Sequence, residues 1–152
     1  MLPSLSAPIC LAQALGPLLG VSRVLLGAVS RCAQPIMSVM PVQCVWLKRD
    51  LRLSDHRPLV EASRRGAVLL LYIIEPEVID APDFDALHWE FIRQALVELE
   101  ASVRDRGGKL CVLRGEATEV LAVLHQNYRL QGLWSHEETG NALTYERDKR
   151  VA

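Results

Sequence analysis

No acidic side chain occurs before Asp50, and residues 1–40 carry only Arg23 and Arg31. The average hides this shortage, because the 152 residues hold 17 basic against 18 acidic side chains, a net charge of -1. A balance so close to zero gives no reason to expect a basic nucleic-acid-binding surface. Aromatic residues are also few, at 5%, yet half the chain is apolar, which excludes wholesale disorder and collagen-like structure. The length allows one domain of ordinary size and no second large one. The four cysteines (Cys10, Cys32, Cys44 and Cys111) are too far apart for a C-x-x-C metal or redox motif. Cys44 and Cys111 fall in apolar, strand-like runs, where a thiol acts as a small buried hydrophobe. A reducing, cytoplasmic setting is the expectation.

Chemical motifs are missing too. There is no G-x-x-x-x-G-K-[ST] or G-x-G-x-x-G loop, so neither a Walker-type phosphate cradle nor the usual dinucleotide fingerprint is available. No H-E-x-x-H and no G-x-S-x-G elbow occurs. The histidines His56, His88, His125 and His136 are scattered, so no metal site is expected.

Residues 1–40 read as a leader outside the domain, disordered or targeting. Met1–Pro8 lacks the positive charge that a secretory signal places ahead of its apolar stretch. Ile9–Val29 is interrupted by Gln13, Pro17, Arg23 and three glycines, a poor sequence to bury in ~30 Å of hydrocarbon, so no stable membrane association is expected. An acid-free stretch with scattered Ser and Arg suits an organellar transit peptide better. The plainer alternative is a disordered tail or upstream extension, with Met37 and Met40 just before the first structured run. Without the leader, residues 41–152 hold 15 basic and all 18 acidic side chains, a net charge of -3.

From Pro41 onward, apolar runs alternate with helical patterns. Val42–Leu47 reads as a first strand and Pro58 opens a helix that continues to Arg65, ahead of Gly66. Ala67–Ile74 is apolar at every position, as in a strand covered on both faces. Asp83 or Asp85 can cap a long helix with Phe84, His88, Phe91, Ala95, Leu99 and Val103 near one face, ended by Gly107-Gly108. Lys109–Leu113 is a third strand. Glu116–Tyr128 is a helix with Val120, Leu121, Val123 and Leu124 inward. Leu130–Trp134 is a fourth strand, and Ala142–Ala152 begins another helix. Strand and helix four times over predict an α/β, Rossmann-like parallel sheet with helices on both faces.

Open sheets of this kind bind ligands at their carboxyl edge, so the loops after strands one and four are the candidates. They hold Lys48, Arg49, Asp50, Arg52, Asp55 and His56, and then His136, Glu137, Glu138, Gly140 and Asn141. The simplest structural roles are an ion pair of Asp50 with Arg49 or Arg52, and helix capping by Asp55. His56 fits exposure as well as ligation. Glu137-Glu138 fits a solvated turn, and Trp46 and Trp134 fit core or edge packing.

The string CVWLKRDLRLSDHRPLVEA resembles the opening of the DNA photolyase/cryptochrome family, which reads V-W-F-R-x-D-L-R-L followed by a D-N or D-H pair. The matching residues are Val45, Trp46, Arg49, Asp50, Leu51, Arg52, Leu53, Asp55 and His56. Trp134–Val151, with its H-E-E-T-G-N loop, is similar to the family's segment leading into an R-D helix, here Arg147-Asp148, and to the bacterial photolyase-like subgroup. The resemblance implies strand order 3-2-1-4-5, with the fifth strand missing here, and a crevice flanked by the two loops. Lys48, Arg49, Asp50, His56, Glu137, Glu138 and Asn141 are then its candidate cofactor-binding residues. It also implies a possible folate or deazaflavin antenna. Leu143-Thr144 stand where the folate-binding branch has Asn-Glu, so those ligands do not carry over.

In the family, FAD, the contacts to damaged DNA and the light-driven splitting of pyrimidine dimers belong to a C-terminal helical domain. Residues 1–152 end without it. No catalytic residue is therefore expected in this chain, which reads as the truncated N-terminal domain of such a flavoprotein. The alternatives are a stand-alone Rossmann-like nucleotide- or pterin-binding module and a fragment of a signalling cryptochrome.

Overall fold

A computed structural model of the protein describes residues 41–152, so the readings of residues 1–40, Cys10 and Cys32 included, lie outside the described residues. Among the described residues, no helix is long and apolar enough to cross a membrane. Four strands form one parallel sheet in the order β3-β2-β1-β4: β1 (Val42–Leu47), β2 (Ala67–Ile74), β3 (Leu110–Arg114) and β4 (Gly132–Trp134). β1 lies between β2 and β4, with Val45 paired to Leu70 on one side and to Trp134 on the other.

The uniformly apolar strands are explained by cover on both faces. Val45, Leu47, Leu70, Tyr72, Leu110 and Val112 point to one face. Ala62 of α1 (Arg57–Ser63) and Leu96, Leu99 and Val103 of α3 (Ala86–Arg104) close over them. Cys44, Trp46, Leu71, Ile73, Cys111 and Leu113 point to the other, under Ala117, Val120, Leu121 and Leu124 of α4 (Ala117–Tyr128). Val151 of α5 (Ala142–Val151) packs at the edge of that second cluster. Burial pushes the Cys44 thiol up to about 12, so it stays an un-ionised core group. A short turn of helix, α2 (Pro76–Ile79), follows β2 and was not foreseen from the sequence pattern.

Several local readings are corrected. α3 turns inward along Trp89, Ile92, Leu96, Leu99 and Val103, while Phe91 is 74% exposed and His88 is exposed. The predicted stripe steps by four, three, four, four and four residues, so its first part lies beside the buried face and it joins that face only at Leu99 and Val103. The observed stripe alternates steps of three and four. Val123 of α4 is likewise exposed. Asp85 caps α3, receiving the Leu87 amide at 2.6 Å. Asp55 is not the cap of α1. It sits in the left-handed region at φ 49, and His56 caps instead, its Nδ1 accepting from the Leu59 amide at 3.2 Å.

Gly66 lets β2 begin against the start of β1. The Ala67 amide donates to the Pro41 carbonyl at 3.0 Å, and a side chain at Gly66 would collide with that same carbonyl oxygen. Gly66→Ala is expected to destabilise the fold by about 1–3 kcal/mol through this overlap. It would show as a lower urea midpoint at unchanged slope; a midpoint equal to wild type contradicts the close approach.

Candidate functional site

Helices α1 and α3 lie on one face of the sheet and α4 on the other, so the chain changes face between β1 and its neighbour β4. The loops leaving the carboxyl ends of these two strands therefore diverge and leave a crevice. A cavity of about 650 Å³ opens there, reaching over the end of β2 to the first turns of α3. Its apolar wall includes Tyr72, Ile74, Phe84, Trp89 and Ile92, and its polar wall Lys48, Arg49, Asp50, Glu138, Asn141 and Arg147. This is ordinary cofactor-site size and composition, a mostly apolar hollow with a few convergent polar groups.

The polar wall is organised by Arg147, a residue 5% exposed on α5. Its Nη1 donates to Glu75 at 2.6 Å, and its Nη2 to Glu138 at 3.2 Å and Asp148 at 2.9 Å. Its guanidinium lies 4.7 Å from the Trp46 ring centroid. Asp148 in turn receives Lys48 Nζ at 2.5 Å. Glu138 receives the Gly140 amide at 2.8 Å and faces Arg49 at 3.5 Å. Three cations thus meet three carboxylates, and none of the buried charges stands alone. Burial raises the Glu75 carboxyl, and the Arg147 charge and hydrogen bond oppose that rise. Burial, helped by the Glu75 charge, also pushes the Tyr72 hydroxyl up to about 12, so a neutral phenol faces the cavity.

Asp50 pairs with neither Arg49 nor Arg52, as the simplest reading had it. It bends back to receive the Lys48 amide at 2.9 Å, and its Oδ2 stands 2.6 Å from both His56 Nε2 and His136 Nδ1. Arg52 turns to Asp55 instead, its Nη2 donating to the backbone oxygen at 3.2 Å. Burial disfavours the Asp50 charge, but the His56 imidazole 2.6 Å away, the Lys48 amide and His136 outweigh it and hold the carboxyl well below the usual range. Histidines 80 residues apart in sequence are therefore neighbours, which no local spacing could show.

Asp50, His56 and His136 bring three ligand-type atoms within 4.8 Å of one another, so a metal must be considered. A metal-bound imidazole offers one nitrogen to the ion and keeps a proton on the other for a second partner. The second nitrogen of His56 already accepts the Leu59 amide, so the ring's proton belongs on Nε2, facing Asp50. The donor set therefore fits a carboxylate–imidazole cluster and does not fit a metal.

Of the residues singled out from the sequence, Lys48, Arg49, Asp50, Glu138 and Asn141 line the cavity, while His56 and Glu137 do not. Glu138 is 6% exposed, not part of a solvated turn, and Glu137 is exposed. Asn141 caps α5 through the Thr144 amide at 3.1 Å and donates to Asp83 at 2.7 Å, tying that helix to the loop ahead of α3. Glu75 and the α3 residues were missed. Glu75 had a signal, as the first charged residue after an eight-residue apolar strand.

A doubly wound parallel sheet with an aromatic-lined crevice at its switch point, where Lys48, Arg49, Arg52 and Arg147 are balanced by Asp50, Glu75, Asp83 and Glu138, defines an α/β domain of the Rossmann-like type. The chain belongs to the DNA photolyase family, whose family model matches residues 43–152, and its fold is that of the family's N-terminal α/β domain. It is 31% identical over 115 residues to Cryptochrome DASH of Gloeobacter violaceus, covering 71% of this chain and 23% of that one. Its fold is similar to that of the archaeal photolyase of Sulfolobus tokodaii, solved with two FAD molecules (TM-score 0.66, 26% identity, 72% of this chain and 26% of that one). A bacterial class III photolyase from Agrobacterium tumefaciens is similar at TM-score 0.65 and 25% identity, over 78% of this chain and 24% of that one. The chain thus spans about a quarter of the length of these relatives.

Arg147→Met should cost about 3–5 kcal/mol in denaturant unfolding, because Glu75 and Glu138 lose their buried partner. A loss under about 1 kcal/mol contradicts the network. Asp50 has a depressed folded pKa, so its contribution is complete above the ordinary aspartate value of ~3.9 and is lost as pH falls below it. Asp50→Asn removes that contribution. The stability gap between wild type and variant should be full at pH 6 and close towards pH 2; a gap that widens in acid reverses the sign.

Proposed function

We propose that residues 41–152 are the antenna-binding domain of a photolyase/cryptochrome-type flavoprotein, and that the crevice takes a planar, anionic, flavin-like or deazaflavin chromophore. The observation that carries this reading is the cavity itself, about 650 Å³ of mostly apolar, aromatic-bearing lining whose acidic and basic side chains balance, the exposed Arg49 and Arg52 among them. Bound there, such a chromophore would supply light absorption and pass the excitation to a flavin held elsewhere in the protein.

The chain's own residues would bind and orient it. Trp89, Ile92 and the neutral Tyr72 offer flat apolar contact, and Arg49 and Arg52, both largely exposed, offer positive charge at the mouth. Folate fits less well. At the positions where the folate-binding branch carries Asn-Glu, Leu143 has no polar group and the Thr144 hydroxyl is engaged on Asn141. The Sulfolobus relative with its two FAD molecules supports a flavin-type occupant. Blue-light repair of dimers in damaged DNA, with FAD in a helical domain, is the activity proposed for the whole protein to which this domain belongs.

Titration with FAD, a deazaflavin and a reduced folate, read by fluorescence and by melting temperature, tests the reading. A flavin or deazaflavin at 100 times its Kd should stabilise the fold by about 2.7 kcal/mol. Ala95→Phe, which fills the cavity from α3 without touching the ion pairs, should melt like wild type and lose the shift. Equal shifts in both proteins, or none with any chromophore, overturn it.

A further inference from the structure

His56 is unusual among the described residues. It is a histidine 1% exposed, used as a helix cap, with another imidazole and a carboxylate against it. Neutral, its ring can serve as a cap in one tautomer, with Nδ1 bare towards the Leu59 amide and the proton on Nε2 towards Asp50. That Nε2 is buried and 2.6 Å from Asp50 Oδ2, yet its N–H direction misses the oxygen, so no aligned hydrogen bond secures it. The His136 ring lies 4.7 Å away, tilted by 58°.

We propose that His56 is a proton-operated latch on the loop 48–56 that walls the cavity. With Nδ1 bare, α1 is capped and the loop is held. With a proton on Nδ1, the acceptor becomes a donor opposed to the Leu59 N–H, the first turn of α1 opens, and the segment from Arg52 to His56 loses that anchor, while Lys48 and Asp50 keep their ties to Asp148 and His136.

The titratable groups facing His56 are Asp50 from its own loop and His136 from the loop after β4; α1 presents the Leu59 N–H. The Asp55 side chain is fully exposed and turned to Arg52, which is itself half exposed. Imidazole is the side chain that ordinarily changes charge between about pH 5 and 8. His136 is 38% exposed and meets Asp50 through Nδ1, while a proton taken up on Nδ1 of the buried His56 ring comes at the expense of the cap. Asp55 sits in the left-handed region at φ 49 just before the cap, a conformation that Asp adopts as a single residue.

The consequence for the cavity rests on the chromophore reading, since Arg52 lies in the freed segment and lines the cavity. The latch itself is measurable without any ligand. Amide hydrogen exchange on the full chain, corrected for intrinsic rates, should show protection at Leu59 and Val60 falling about tenfold between pH 8 and pH 5. His56→Asn keeps a cap acceptor and does not titrate, so its protection should stay level over the same range. Nitrogen-15 spectra of the His56 ring at pH 8 should report a bare Nδ1. The same pH dependence in His56→Asn overturns the latch, as does an Nδ1–H tautomer. A zinc-induced stabilisation of wild type that His56→Asn lacks also overturns it, because Nε2 would then be a ligand and not the proton carrier. If exchange behaves as expected while no chromophore binds at either pH, the latch stands and the occupant of the cavity was misjudged.

Discussion

The carboxyl edge of this sheet depends on one guanidinium. Arg147 is buried among Glu75, Glu138 and Asp148, and these come from the end of β2, the loop after β4 and α5 itself. Each carboxylate would be costly where it stands without a partner, and so would the arginine. The planar fork of the guanidinium reaches several acceptors at once and still lies against the Trp46 ring, which a lysine's point charge could not do. Once Arg147 is placed, α5 is fixed against the strand ends. Lys48 is then held through Asp148, and Arg49 faces Glu138. The polar half of the cavity follows from that single placement.

The strands were legible because burial on both faces leaves a continuous apolar run. β1 and β2 lie where the composition put them, and β3 and β4 differ by one or two residues at their ends. Helix faces were less legible. Phe91 is large and apolar, so a pattern reading draws it inward, yet the α3 stripe that meets the sheet is one residue further on. Apolarity marks what can be buried; the phase of the helix against the sheet decides what is. The exposed Phe91 borders the cavity, so its apolar surface lies at the mouth of the crevice.

Roles in the site were read least well, for a reason of distance along the chain. Asp50 sits between two arginines in sequence, and local charge suggests an ion pair. Its actual partners are His56 and His136, the second brought in across the sheet because β4 docks beside β1. Asp55 offers a carboxylate where a cap is wanted, but its left-handed backbone conformation hands the position to His56. The first error comes from treating a loop as a local object when strand order determines which loops meet; the second comes from a backbone conformation within the loop itself.

Strand order also joins the two halves of the crevice. β1 and β4 end side by side, and their loops are tied twice, by Asp50 to His136 and by Arg49 to Glu138. The second tie is solvated on the arginine side and contributes little on its own. The first is largely shielded and rests on a carboxylate whose charge needs its imidazole and amide donors. The rigidity of the wall therefore comes mainly from Asp50, while Arg49 is the exposed cation at the mouth. That division sets the shape of the loop from within and leaves its rim charge open to solvent.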